Sequence, residues 1–144
     1  MANLKKNPQP AILATLLTFL LATPLTTIIL ILFGAPLTTH LAHNLLCAAH
    51  MALLMFQPLF YVYGVDAVMW KEVCSAFLPW DGVWGGTVGA AVGAWCGAAP
   101  IPLDWDRDWQ KWPITIVTGA YIGWGIGRLA GEFLFKGMRI QFDT

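Results

Sequence analysis

Three histidines and one cysteine have the side chains in this sequence that most readily ligate a metal ion. His40, His43, Cys47 and His50 are spaced so that a helix would place all four on one stripe. Imidazole and thiolate are metal ligands. However, His43, Cys47 and His50 would rise over about 10 Å along the helix axis, too far for one small ion to contact all three. We therefore expect hydrogen bonds between helices here, with no metal site and no cofactor.

Arg128 and Glu132 form a second polar pair within an apolar stretch. They lie one helical turn apart and can neutralise each other, although Arg before Glu is the weaker order of the two charges. The long stem of Arg128 would also let its guanidinium reach a membrane surface. We expect a paired or surface-reaching charge; the alternative is a contact with a lipid phosphate or a partner subunit.

The segment 104–112 holds three carboxylates, one Arg, one Lys and three Trp. Such a loop could bind a cationic headgroup through charge and cation–π contact. Its carboxylates could also serve acid–base chemistry or a divalent cation. The simplest interpretation is an aromatic belt beside a solvated turn, which we favour. The candidate residues are Asp104, Trp105, Asp106, Arg107, Trp109 and Trp112. No motif of a hydrolase, kinase, P-loop or zinc protease occurs, so no catalytic residue is predicted.

Two ladders of glycine give the sharpest physical signal in the chain. Glycine recurs at every fourth residue, so each helix would present a face without side chains. In lipid, close backbone approach must supply the attraction between helices, and small residues permit it. We predict that the two helices pack against each other, or one of them against a partner protein. The ladders are Gly85, Gly89, Gly93 and Gly97, and Gly119, Gly123, Gly127 and Gly131.

These residues lie in a chain whose composition points to a lipid environment. Of its 144 residues, 58% are apolar and 11% charged, against about 25% charged in a typical soluble domain. The net charge is zero, which excludes the basic excess of a nucleic-acid binder. We predict one all-α membrane domain, 1–144, with four transmembrane helices and an interfacial segment at 64–84. The predicted spans are 11–33, 37–63, 85–103 and 113–135, with a kink at Pro24.

The distribution of basic residues predicts the topology. With both termini cytoplasmic, five Lys or Arg lie in inside segments and two in outside loops, as the positive-inside rule requires. The inside residues are Lys5, Lys6, Lys71, Lys136 and Arg139. The outside ones are Arg107 and Lys111, which places the loop 104–112 on the lumenal or exterior side.

The stretch Val92–Pro113, VGAWCGAAPIPLDWDRDWQKWP, resembles the signature of the Pig-F family. The segment Phe33–Leu37 with His40, and the segment Gly64–Asp66, are similar to the fungal branch of that family. Fungal members are GPI-anchor biosynthesis proteins of the endoplasmic reticulum. Family members are longer, with further hydrophobic spans before the region that corresponds to residue 11, so we expect this chain to be short at its N-terminus.

The resemblance implies that this chain is a multi-pass protein of the endoplasmic reticulum membrane with an accessory role. Members of the family are similar to non-catalytic partners that bind and stabilise the large ethanolamine phosphate transferases, which modify the GPI lipid on the lumenal side. Two alternatives stay open. The chain could itself be a lipid-headgroup transferase that uses Asp104, Asp106 and Asp108, or a small transporter component with the glycine faces at a hinge.

Overall fold

The computed structural model describes residues 10–76, 78–103 and 105–138, and every regular element in those ranges is helical. The prediction of an all-α chain is confirmed over these residues. The order along the chain is α1 Ala11–Leu17, a π-helical turn Thr18–Ala22, α2 Thr23–Leu32, α3 Leu41–Met55, α4 Gln57–Tyr63, α5 Ala67–Cys74, α6 Gly82–Ala98, a 3₁₀ turn Asp108–Gln110, and α7 Ile114–Phe133.

Two helical stretches, Ala11–Leu32 and Leu41–Tyr63, are long and apolar enough to cross a membrane. At 1.5 Å per residue they extend about 33 and 35 Å, more than the roughly 30 Å of a hydrocarbon core. Their outward side chains are large and apolar; Leu20 is 71% exposed and Leu32 is 80% exposed. A contiguous apolar surface of this kind marks a site of contact with a membrane or with another protein.

Proline shapes both of these stretches. Pro24 has no N–H to donate to the carbonyl one turn earlier. The first stretch accommodates it with the π-helical turn, in which the Thr23 N–H bonds the Thr18 carbonyl and the Thr23 hydroxyl donates to the same oxygen at 3.2 Å. The irregularity expected at Pro24 is therefore a π turn. Pro58 stands in the first turn of α4, just after the break at Phe56 that separates α3 from α4.

Helices α6 and α7 form an antiparallel hairpin whose two backbones touch. A Cβ atom added at any of the eight ladder glycines would lie 2.1–2.3 Å from a carbonyl oxygen of the opposite helix. A Cβ atom at Gly89 would meet the Gly123 carbonyl oxygen, and one at Gly123 would meet that of Gly89. Gly93 and Gly119 face each other in the same way. A real Cβ atom cannot occupy those positions, so only glycine allows the two helices to approach this closely.

Helix α3 packs across the back of this hairpin and joins it to the N-terminal helices. Ala48 and Met51 of α3 contact the cluster that includes Ala90, Ala94 and Ala120 of the hairpin. The Thr87 hydroxyl of α6 donates to the Met55 carbonyl at 3.0 Å. On its other side, the α3–α4 stretch packs on α1 through a cluster of Ala14, Ala22, Ala52 and Phe60. Helix α3 is therefore the central element of the bundle.

The bundle has two distinct ends. The terminal end contains the start of α1, helices α4 and α5, the start of α6 and the end of α7. There the backbones of Trp80 and Gly137–Met138 exchange hydrogen bonds of 2.8 and 2.7 Å. The loop end contains the α2–α3 connection and the residues between α6 and α7. The first and last described residues, Pro10 and Met138, lie at the terminal end, opposite the Trp-rich loop.

Several helix limits differ from those predicted, each for a local reason. Helix α6 begins at Gly82, before the predicted residue 85, because the Asp81 carboxylate accepts the N–H groups of Val83 and Trp84 at 2.9 and 2.8 Å. It ends at Ala98, before residue 103, where Pro100 follows. Helix α3 begins at Leu41 instead of residue 37, after a left-handed residue, His40, at φ 59°.

The segment predicted to lie on the membrane surface contains one short amphipathic helix, α5. The Asp66 carboxylate caps it by accepting the Val68 N–H at 2.9 Å. Met69 is 3% exposed and packs into the cluster with Trp84, whereas Val68 on the other face is 66% exposed. Phe77, in the same predicted interfacial segment, lies outside the described residues.

The glycine contacts give a stability prediction with an internal control. Gly89→Ala would place a Cβ atom 2.1 Å from the Gly123 carbonyl oxygen, whereas a Cβ at Gly125 of α7 meets nothing within 4 Å. We expect Gly89→Ala to destabilise the protein by about 2 kcal/mol or more. Gly125→Ala should be neutral or slightly stabilising, because alanine is the better helix former.

Thermal unfolding of both variants in mild detergent, followed by circular dichroism, tests this expectation. Equal midpoints for Gly89→Ala and Gly125→Ala would show that the two backbones do not touch.

Candidate docking groove and polar loop

An open apolar groove runs along the outer face of the α6–α7 hairpin, with a volume of about 520 Å³. We call it the glycine groove. Its floor is the backbone of the two ladders, and its walls are Val88, Val92, Ile122 and Ile126, with Trp80 at the terminal end. The wall side chains extend outward; Val92 is 53% exposed and Ile126 is 64% exposed. Helix α3 covers the opposite face of the hairpin, so this face is the uncovered one.

The lining of the glycine groove has the properties of a binding surface for an apolar rod. Every side chain in it is apolar apart from the Cys96 thiol and the indole N–H of Trp80. A floor made of backbone lets another helix or an acyl chain approach closely, and contact of this kind holds helices together in lipid. The groove is suited to packing; it contains no carboxylate, imidazole or amine.

The loop end is organised by two buried amides that the sequence interpretation did not single out. Asn44 is fully buried; its amide donates to the Pro36 carbonyl, and its oxygen accepts the Trp112 indole N–H at 2.5 Å. Gln110 is 8% exposed, and its amide donates to the carbonyls of Pro100 and Leu103 at 2.8 and 3.0 Å. These bonds attach the loop to α3 and fold it back onto the end of α6.

Two of the three Trp candidates in the loop are at the surface. Trp105 and Trp109 are exposed, with ring centroids 6.0 Å apart. Trp112 is instead turned inward to Asn44 and packs against the main core cluster. It therefore does not belong to an exposed aromatic surface, contrary to its predicted place with the other two.

The charged candidates of the loop are exposed and do not converge. Asp108 accepts the Lys111 ammonium at 2.5 Å, and this pairing holds the pKa of the Asp108 carboxyl below its ordinary value. Asp106, at φ 48°, and Arg107 are open to solvent. Asp104 lies outside the described residues. Among the residues that the structure describes, no three His, Cys, Asp or Glu side chains are grouped so as to hold a metal ion.

The four residues of the His–Cys pattern do not share one helical stripe. His40 precedes α3 in the left-handed conformation, and its ring meets that of His43 edge-on at 5.4 Å. Cys47 is buried in the core cluster. His50 shares a hydrogen bond of 2.8 Å with the Tyr121 hydroxyl of α7, a bond between helices of the kind expected there.

Arg128 was expected either to pair with Glu132 or to reach a membrane surface, and the structure shows no ion pair between the two residues. Glu132 binds Lys136 at 3.1 Å, because Glu before Lys at this spacing is the favourable order. The guanidinium of Arg128 instead lies 5.4 Å from the ring centroid of Trp124, within the range of a cation–π contact.

Of the residues that the sequence interpretation missed, Asp81 carried a readable local signal. An Asp directly before an apolar run is a typical N-cap. One carboxylate oxygen of Asp81 caps α6, and the other accepts a hydrogen bond from the Tyr63 hydroxyl at 3.3 Å. Asn44 had no such signal, because its partners lie on other elements, and the Gln110 amide bonds carbonyls ten and seven residues earlier in the chain.

The Asn44–Trp112 hydrogen bond gives a second stability prediction. Trp112→Phe would leave the buried Asn44 oxygen without its donor, at a cost of about 1–3 kcal/mol. Trp105→Phe is the matched control, since Trp105 is 57% exposed. We expect a lower unfolding midpoint for Trp112→Phe alone, and equal midpoints would argue against the buried network.

Known proteins similar to this chain share its sequence over most of its length. The family model "GPI biosynthesis protein family Pig-F" matches residues 1–132. A protein of Aspergillus fumigatus named glycosylphosphatidylinositol anchor biosynthesis protein 11 is 60% identical over 126 residues, covering 88% of this chain and 42% of the relative. Its namesake in Neurospora crassa is 53% identical over 133 residues, covering 88% and 49%. A Saccharomyces cerevisiae protein of the same name is 36% identical over 133 residues, covering 91% and 54%.

The chain thus spans about half the length of the curated relatives it matches. No solved structure matches it. The match of the family model to nearly the whole chain, together with identity of up to 60% to these fungal proteins, shows that this chain belongs to the Pig-F family of GPI biosynthesis proteins.

Proposed function

We propose that this chain is an accessory subunit of a GPI ethanolamine phosphate transferase in the endoplasmic reticulum membrane. The family match over residues 1–132 carries the proposal. The relatives bear the name of GPI anchor biosynthesis proteins, and the sequence resemblance implies a stabilising partner of the transferase. The geometry adds a surface suited to binding another membrane helix.

In this proposal α6 and α7 also cross the bilayer, which gives four spans. Helix α7 has 20 residues and α6 has 17, lengths of about 30 and 26 Å. With the terminal end on the cytoplasmic side, the Trp-rich loop faces the lumen. Trp105 and Trp109 then lie at the depth where aromatic side chains are enriched.

The proposed docking surface is the glycine groove, and its occupant is a transmembrane helix of the transferase. The hairpin uses its glycines to bring two backbones together, and the same backbone floor lets a third helix approach from the open side. Exposed Val92 and Ile126 would interlock with the side chains of that helix. Packing, not burial from water, would supply the attraction.

Affinity purification of the tagged chain from microsomes in mild detergent, with mass spectrometry of the bound proteins, tests the proposal. We expect a large ethanolamine phosphate transferase in near-stoichiometric amount. A chain that purifies alone and monodisperse would contradict the subunit role. Ethanolamine phosphate transfer by the purified chain alone, lost in Asp106→Asn, would instead support the alternative of an enzyme.

Two tryptophan substitutions locate the docking surface. Ile126→Trp fills the glycine groove, whereas Leu129→Trp lies on the same helix outside it, and the two native side chains are 64% and 60% exposed. Neither residue belongs to the glycine ladders that hold the two helices together, so both variants should keep the hairpin intact. We expect about tenfold less co-purified transferase with Ile126→Trp and an unchanged amount with Leu129→Trp. Equal yields would place the docking surface elsewhere.

A further inference from the structure

A second groove, of about 490 Å³, lies at the terminal end of the bundle between α1, α4 and the hairpin. We call it the Arg128 groove. Its lining includes Ala11, Leu54, Gln57, Tyr61, Trp124 and Arg128. Unlike the glycine groove, it combines apolar walls with a guanidinium, an amide and a phenol.

These three polar groups have unused hydrogen-bonding capacity. Arg128 brings the only charge to the lining, which contains no carboxylate. Over residues 10–76, 78–103 and 105–138, the only ion pairs within 4.0 Å are Lys111–Asp108 and Lys136–Glu132, so none involves Arg128. In the same ranges the Gln57 amide and the Tyr61 hydroxyl have no protein hydrogen-bond partner. All three can act as donors, and together they are complementary to an anion.

The geometry of the guanidinium favours an oxyanion. Trp124 lies 5.4 Å from it on the same helix and restrains it by cation–π contact. A restrained guanidinium presents two parallel N–H groups, which match two oxygens of a phosphate.

These residues lie near the level of lipid headgroups, within two helical turns of one end of the apolar stretches. Ala11 is the first residue of the Ala11–Leu32 stretch, and Gln57 lies six residues before the end of the Leu41–Tyr63 stretch, about 9 Å along the axis. Both stretches are long enough to cross the membrane, so this end of each lies near one surface of the bilayer. The interfacial layer that holds lipid phosphates is about 5–8 Å thick on each side.

We propose that the Arg128 groove binds one membrane glycerophospholipid. The lipid phosphate accepts hydrogen bonds from Arg128, Gln57 and Tyr61, and one acyl chain runs along the apolar side chains of α3 and α4. The bound lipid would fill the space between the first helix and the hairpin. The inference uses only the two apolar stretches and the groove, and does not depend on the partner in the proposed function.

Native mass spectrometry of the purified full chain tests the proposal with three probes. Dioleoylphosphatidic acid supplies phosphate and acyl chains, dioleoylglycerol the chains alone, and inorganic phosphate the anion alone. We expect one phosphatidic acid per chain, and much weaker binding of the other two. Binding of dioleoylglycerol as tight as that of phosphatidic acid would overturn the phosphate contact. Equally tight binding of inorganic phosphate would show a site for a free anion.

Variants assign the binding to this groove. Arg128→Gln should weaken phosphatidic acid binding about tenfold, the usual loss for one charge-assisted hydrogen bond. Arg128→Lys should bind phosphatidic acid with an affinity between those of the unmodified chain and Arg128→Gln, because an ammonium lacks the paired N–H groups. Gln57→Leu keeps the charge and should weaken binding several-fold. Lys111→Gln removes the same charge at the opposite end of the bundle and should have no effect.

Unchanged binding in both Arg128→Gln and Gln57→Leu would overturn the proposal. So would a loss of co-purified transferase in Arg128→Gln while lipid binding stays intact, since Arg128 would then contact a partner protein. Failure of the lipid test with normal transferase co-purification would leave the proposed function standing, so the two proposals fail separately.

Discussion

The contact between the backbones of α6 and α7 is the constraint on which the rest of the structure depends. Each ladder glycine meets a carbonyl oxygen of the opposite helix at a distance that no Cβ atom would allow. Glycine contributes no side chain to this contact, so the contact energy comes from close packing of backbone atoms. The hairpin is therefore rigid and narrow, and its outer surface is a groove with a backbone floor.

Helix α3 determines which parts of the hairpin are available for binding. It covers Ala90, Ala94 and Ala120 on one face and leaves the glycine groove open on the other. It also fixes the Trp-rich loop through Asn44 and Trp112. The two surfaces best suited to recognition, an apolar groove along the hairpin and an aromatic loop at one end, are thus held by the same central helix. This arrangement suits a protein that acts by binding.

The sequence was informative where the controlling interactions are periodic or local. Glycine at every fourth residue identified the two faces that meet in the hairpin, and Asp66 and Asp81 stand where capping rules place an acidic residue. It was uninformative where a contact joins distant residues. Asn44 and Trp112 are far apart in the chain, and nothing near either residue indicates the other. The predicted stripe of His40, His43, Cys47 and His50 is broken at its first residue, because His40 lies before α3 in the left-handed conformation. Of the two outcomes expected for Arg128, the ion pair with Glu132 is not formed, because Lys136 offers Glu132 the better-oriented partner.

The most direct test of the account is photocrosslinking from the native cysteines in microsomal membranes. Cys96 lines the glycine groove, whereas Cys74 is exposed on α5 outside it. Two versions of the chain, each retaining one of these cysteines and with Cys47 replaced by Ala, would be labelled with benzophenone maleimide and illuminated. The account predicts a crosslink to an ethanolamine phosphate transferase from Cys96 and none from Cys74. A crosslink from Cys74 alone, or from neither residue, would contradict it.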